Sequence, residues 1–297
     1  MSVKTLFIYF GKLLLSSLAF SVGVMIGGMV VNLLGLQPPQ VPEGFDTSLA
    51  MQYMLLESPL LALALAMVAR GIAGGFLTRT FVLSLLTWIA YTVNTQLEAT
   101  IFTDFGGGFW YTVIDFGIAS LLSGVAAAWL FPSGEKGEGI AAAWKGFFGQ
   151  RTTWDWIWRL AVAAVAFMPI YYFFGLLVVP FTGEYYQRNM YGLQMPGLDQ
   201  ILMVLLLRSV LFLLACLPVI ILWRKGRLSL FLSLGFALFV LVGLLNMLVA
   251  YWMPVSVRLP HTLEILADEF VYAGVLVALL KRGRRIPELI TASQALR

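Results

Sequence analysis

The sequence predicts an all-α, polytopic membrane protein: a bundle of about eight transmembrane helices that reads as two parallel four-helix repeats. Three observations carry this. First, 60% of the 297 residues are hydrophobic and only 11% are charged, whereas a soluble domain carries roughly 25% charged residues. The chain lacks the polar surface to face water on all sides. Second, the apolar residues fall into eight runs, each near the ~20 residues that cross a bilayer. Third, the basic residues sort to alternate loops.

The runs are 5–36, 49–69, 76–101, 109–131, 154–180, 198–223, 228–253 and 262–280. They are continuous rather than alternating, which argues against a β-barrel, and in lipid the helix satisfies its own backbone. The first run follows Lys4 without a clear small-residue cleavage site, so it is expected to stay as an uncleaved span. Between the runs, Gln37–Gly44 is Pro-rich and Phe105–Gly108 is Gly-rich. The longest link contains an amphipathic stretch, Ile140–Phe148, suited to a membrane surface. Trp154, Trp156 and Trp158 open the fifth run as an aromatic belt, and Tyr185, Tyr186 and Tyr191 suit the opposite interface. Pro287 and Glu288 are placed to start a short terminal surface helix.

Eight spans put 16 of the 19 basic residues on one side, from Lys4 and Lys12 through Arg70, Arg79 and Arg224 to Arg297. That side is expected to be cytoplasmic, with both termini there. The compact loops fit a prokaryotic plasma membrane. The same sorting argues against nucleic acid as a partner despite a pI of about 9.2. The single cysteine, Cys216, excludes an intrachain disulfide and a Cys-rich metal site.

The organisation expected is a first four-span half (1–132), a linker (133–153), a second half (154–285) and a tail (286–297). Leu56-Glu57-Ser58 in span two aligns with Leu207-Arg208-Ser209 in span six at an offset of 151. Asn94 aligns with Asn246 at 152, and Asp115-Phe116 with Glu269-Phe270 at 154. Parallel repeats of this kind occur in transporters, which bind at the interface of the halves.

Intramembrane charge costs at least ~2.5–3.5 kcal/mol per group on insertion scales, so such residues mark function or a specific pairing. Glu57 and Arg208 lie deep in their spans, and the simplest expectation is that they pair with each other. Thr87, Tyr91, Asn94 and Glu98 share one helical face of span three by spacing. Asp115 lies within span four. His261, Glu264, Asp268 and Tyr272 form a second stripe on span eight, with Glu269 beside it. Glu98 and Glu264, near span ends, are expected to reach headgroups and water. Asn94 and Asn246 suit interhelical hydrogen bonds, and the Gly23/Gly27 pair suits helix packing. Pro59, Pro169 and Pro218 are candidate kinks.

These groups occupy the outer half or the centre of their spans, above almost purely apolar inner halves. The pattern points to an acidic cavity open to the outside. The candidate substrate- or ion-binding residues are Glu57, Asn94, Glu98, Asp115, Arg208, Asn246, Asp268 and Glu269. His261, Glu264 and Asp268 carry a weaker divalent-metal reading. No cofactor is implied, and HExxH, P-loop and GxSxG patterns are absent. The favoured reading is a transporter or permease for a cation, a proton-coupled solute or a small polar molecule, with the bilayer as its surroundings. The alternatives are a non-catalytic subunit with a protein partner or a second copy, and a membrane-embedded enzyme using its acids and a metal.

Overall fold

The computed structural model describes residues 2–41, 44–105, 107–134, 137 and 139–281. The terminal helix expected at Pro287 lies outside them. Seven helical stretches are long and apolar enough to cross a membrane. They are α1 (Val3–Leu33), α2 (Thr47–Ala69), Phe76–Phe102, α5 (Phe109–Leu130), Thr153–Gln187, α9 (Leu198–Leu222) and Arg227–Val249. An eighth helix, α12 (Val255–Leu280), has 26 residues. It is long enough to span, but its middle carries Glu264, Asp268 and Glu269, all buried against neighbouring helices. The fold is thus a helical bundle of about eight spans. Between the fourth and fifth lies the amphipathic α6 (Ile140–Phe148), whose Phe147 packs on Trp156.

Three stretches depart from a continuous α-helix. The fifth span divides into α7 (Thr153–Val165) and α8 (Phe167–Gln187). Pro169 has no N–H to give the Val165 carbonyl four residues back. Pro59 and Pro218, by contrast, sit inside the continuous α2 and α9. At Pro59 the unserved Leu55 carbonyl accepts from the Ser58 hydroxyl at 3.1 Å. Spans three and seven each contain a π-helical segment. α3 (Phe76–Thr87) passes through Trp88–Val93 into α4 (Asn94–Phe102), and α10 (Arg227–Leu238) passes through Phe239–Leu244 into α11 (Leu245–Val249). Such segments are uncommon and cluster at functional sites.

The element bounds recur along the chain. α2 and α9 start at Thr47 and Leu198, α3 and α10 at Phe76 and Arg227, and the π segments at Trp88 and Phe239; each pair is 151 apart. The interhelix packing recurs too: α5 lies on α1 and α3, as α12 lies on α8 and α10. At the basic end of the bundle, two connecting loops meet through reciprocal bonds. Ala73 N–H donates to Leu222 O at 2.9 Å, and Arg224 N–H donates to Gly71 O at 3.0 Å. Adding 151 to 73 and 71 gives 224 and 222, so each bond is the other's counterpart. Gly71 is required there, because the Trp223 ring occupies the space a Cβ would take.

Several basic residues counted as loop charge in the sequence close helix ends. The buried Arg79 guanidinium donates to the carbonyls of Ala128 and Ala69 at 2.8 Å and of Phe131 at 2.5 Å. Lys281 does the same for Ile220 and Trp223. Helix C-termini carry orphan carbonyls and a negative dipole end, and cations answer both.

Candidate functional site

Glu57 and Arg208 are each ten residues past the first residue of their helix, Thr47 and Leu198. At ~1.5 Å per residue both lie about 15 Å along the axis from the helix start, half the ~30 Å thickness of a hydrocarbon core. Each is 1% exposed. They do not pair with each other, which corrects the sequence expectation. α2 packs against α1, α10 and α11, whereas α9 packs against α3, α4 and α7. Helix order, which the sequence does not display, separates the two charges.

Arg208 pairs with Glu98, Nη1 to Oε1 at 2.8 Å. Glu98 is therefore not simply a headgroup-facing residue, although its side chain remains 28% exposed. The Tyr171 hydroxyl donates to the same Oε1 at 3.0 Å. The guanidinium lies over the rings of Phe167, Tyr171 and Phe212, 5.5 to 5.9 Å from their centroids. Glu264, Asp268 and Glu269 are buried on the adjoining face of α12, and Asp268 interacts electrostatically with Glu98, Arg208, Glu264 and Glu269. Among the described residues, Asp268 Oδ1 and both Glu269 carboxylate oxygens have no hydrogen-bond partner. This cluster has more acids than bases in a low-dielectric setting, so charge balance there calls for protons or a bound cation.

His261 Nδ1 lies 2.7 Å from Glu264 Oε2, and its Nε2 meets the Tyr186 hydroxyl at 3.2 Å. Glu264 thus turns inward to His261 rather than to headgroups. The stripe does not assemble a metal centre: among the described residues, no three His, Cys, Asp or Glu side chains converge in a way that would hold an ion. The imidazole is instead occupied on both nitrogens.

Glu57 faces a different neighbourhood, because the π segment of span three turns the helix between Tyr91 and Glu98. The stripe expected from spacing is split. The Tyr91 hydroxyl donates to Glu57 Oε1 at 3.2 Å and Tyr91 packs on Phe20 and Phe116, while Glu98 is carried round to Arg208. Glu57 Oε2 has no partner among the described residues. It forms part of the wall of a cavity of about 280 Å³. The wall runs from Thr47, Met51 and Met54 near the start of α2, past Thr92 and Thr95, to Asn246 and Val249 of the seventh span.

No family model matches this chain, and neither does any curated protein or solved structure. Asp115 is buried against Gly27 of α1 and lies within electrostatic range of Tyr91, with Oδ1 unpartnered among the described residues. Asn94 is fully buried and neither of its amide atoms has a partner among the described residues, so the interhelical bond expected of it is not formed. Asn246 donates to the carbonyls of Leu241 and Val242 at 3.3 and 2.9 Å, within its own span rather than between helices. The residue 151 earlier is Thr95, whose hydroxyl donates to Tyr91 O at 2.5 Å. Both pairs, 95 with 91 and 246 with 242, stand 151 apart. The Asn94–Asn246 match at 152 is therefore one residue out of the register of the helices. Sequence reasoning missed Thr92, Thr95 and Thr112 as cavity residues; hydroxyls within apolar runs give only a weak signal, since they back-bond to their own helix as readily as they line a site.

Proposed function

We propose that this protein is a transporter or permease-type membrane protein whose substrate enters the Glu57 cavity from the side opposite the basic loops. By the asymmetry of Lys and Arg, the basic side is cytoplasmic and the cavity opens outward. The observation that carries the reading is a cavity that ends at mid-membrane on a carboxylate with an unpartnered oxygen. A purely structural charge would be paired or buried in packing, since an isolated one is costly. The recurrence of helix bounds at 151 supports two parallel halves, and the cavity draws residues from both, as binding sites of repeat-built transporters do. The reciprocal bonds at Ala73 and Arg224 fit a closed inner end. The Arg208–Glu98 cluster is then a second charged locus within the same membrane layer, suited to protons or a coupling cation.

Charge movement in proteoliposomes on a solid-supported membrane tests this. Concentration jumps of protons, sodium, potassium and propylammonium are applied in turn. Wild type is expected to give a transient current with at least one of them. Glu57→Gln should reduce it at least tenfold, and Glu184→Gln, altering a surface pair with Arg188, should leave it unchanged. A silent wild type, or equal currents in wild type and Glu57→Gln, would refute the proposal.

A further inference from the structure

We infer that the Glu57 cavity binds a small monovalent cation rich in N–H donors, a primary ammonium or a guanidinium, rather than a quaternary ammonium, a divalent metal ion or a neutral solute. This rests on the transport reading only for the direction of entry; the binding claim stands by itself.

The first argument compares the two halves. Position 57 corresponds to 208 and position 98 to 249, each 151 apart. In one half these places hold the Glu98–Arg208 ion pair. In the other they hold Glu57 and Val249, and both border the cavity. Where one half has a guanidinium between helices, the other has an acid, an apolar residue and open space. Among the described residues no basic side chain pairs with Glu57. A carboxyl group there is balanced by a proton or by a cation, and the space beside it is where such a cation fits.

The second argument is the polarity of the wall. Glu57 Oε2 and Thr92 Oγ1 are buried and unpartnered among the described residues. The Asn246 amide nitrogen is already committed to two backbone carbonyls, which leaves its oxygen as an acceptor. Thr95 likewise spends its hydroxyl proton on backbone carbonyls. The wall therefore offers acceptors and one carboxylate, which ask for N–H donors. A quaternary ammonium has none. A divalent metal ion needs several convergent anionic ligands, and no group of three His, Cys, Asp or Glu side chains that could hold one is present among the described residues. The rings of Tyr91 and Phe116 add faces and edges suited to the alkyl part or to cation–π contact. The volume of about 280 Å³ is close to the small end of ligand pockets and exceeds the ~150 Å³ that holds benzene, so a small alkylammonium fits with room to spare.

The test is binding of n-propylammonium to the purified full-length protein by calorimetry, with tetramethylammonium, potassium and n-propanol as comparisons. Wild type should bind propylammonium saturably, with tetramethylammonium at least tenfold weaker and propanol undetectable. Glu57→Gln should weaken propylammonium at least tenfold, whereas Glu184→Gln, in an exposed pair with Arg188, should not. Should Glu57→Gln fail to fold, Met54→Lys decides: residue 54 neighbours 57 on the helix, so its ammonium should fill the site, abolish binding and keep or raise the melting temperature. Repeating the titration in nanodiscs distinguishes sources of the ammonium. Equal affinity in phosphatidylcholine and phosphatidylethanolamine assigns the site to a free amine. A lower affinity in phosphatidylethanolamine assigns it to that lipid's own ammonium head. No saturable binding by wild type, unchanged affinity in Met54→Lys, or tetramethylammonium as tight as propylammonium would overturn the inference. A wild type that binds propylammonium but carries no current would sink the transport reading alone, and a current-bearing wild type that binds no amine would sink this inference alone.

Discussion

Arg208→Gln is expected to lower the stability of the protein by at least ~3 kcal/mol, the scale for removing one partner of a buried pair. Among the described residues, Arg208 is the base that faces Glu98, Asp268 and Glu269. Without it, the acids of this layer repel one another with no compensating charge. Glu98→Gln should cost less. The guanidinium keeps Glu269 within electrostatic range, and its three aromatic neighbours stay in place. The double variant should recover part of the Arg208→Gln loss, a coupling of at least ~1 kcal/mol between contacting residues. Glu57→Gln combined with Arg208→Gln should be additive, because the two side chains belong to different neighbourhoods. Thermal unfolding of the four variants in detergent checks all of this. Strong coupling between 57 and 208 with none between 98 and 208 would reverse the assignment.

The second large effect is expected at Gly27. The space for its Cβ is taken by the backbone of Asp115, with the carbonyl carbon 2.9 Å away, and at Gly23 it is taken by Ala119. The two glycines let α1 lie directly on α5, the close approach that small residues permit in membranes. Gly27→Leu should separate these helices and cost at least ~2 kcal/mol by overpacking. Because Asp115 is the residue displaced, it should also disturb the Tyr91–Glu57 contact. Gly28→Leu is the control: nothing lies within 4 Å of a Cβ there. Comparable losses at 27 and 28 in a thermal-melt assay would mean that α1 does not dock on α5 as described.

The bundle was legible in the sequence because lipid leaves one solution for long apolar runs, and because Lys and Arg sort so cleanly. Most helix bounds fall within a few residues of the apolar runs; the exceptions are the end of the fifth span, at Gln187 rather than 180, and the start of α12, at Val255 rather than 262. The amphipathic Ile140–Phe148 is a helix, as its pattern implies. What spacing did not supply was which charged residues meet. The stripe from Thr87 to Glu98 assumes 3.6 residues per turn throughout, and the π segment at Trp88–Val93 breaks that count. It sends Tyr91 to Glu57 and Glu98 to Arg208. No composition signal marks a π segment; the Thr95 and Asn246 side chains that serve its carbonyls become meaningful only once the backbone is seen. Arg79 is a similar case. It reads as loop charge, yet its guanidinium is spent on three carbonyls at two helix ends, Ala69 of α2 and Ala128 and Phe131 of α5.

The central claim is that a cavity reaches Glu57 from one side of the membrane only. Cysteine accessibility tests it directly, since the sole native cysteine, Cys216, is fully buried and should stay silent. Met54→Cys is labelled in oriented vesicles with a membrane-impermeant, positively charged thiol reagent, with the buried Leu86→Cys as the unreactive comparison. The account predicts reaction of Met54→Cys from the external face and none from the cytoplasmic face. Reaction only from the cytoplasmic face, or from neither, would contradict it.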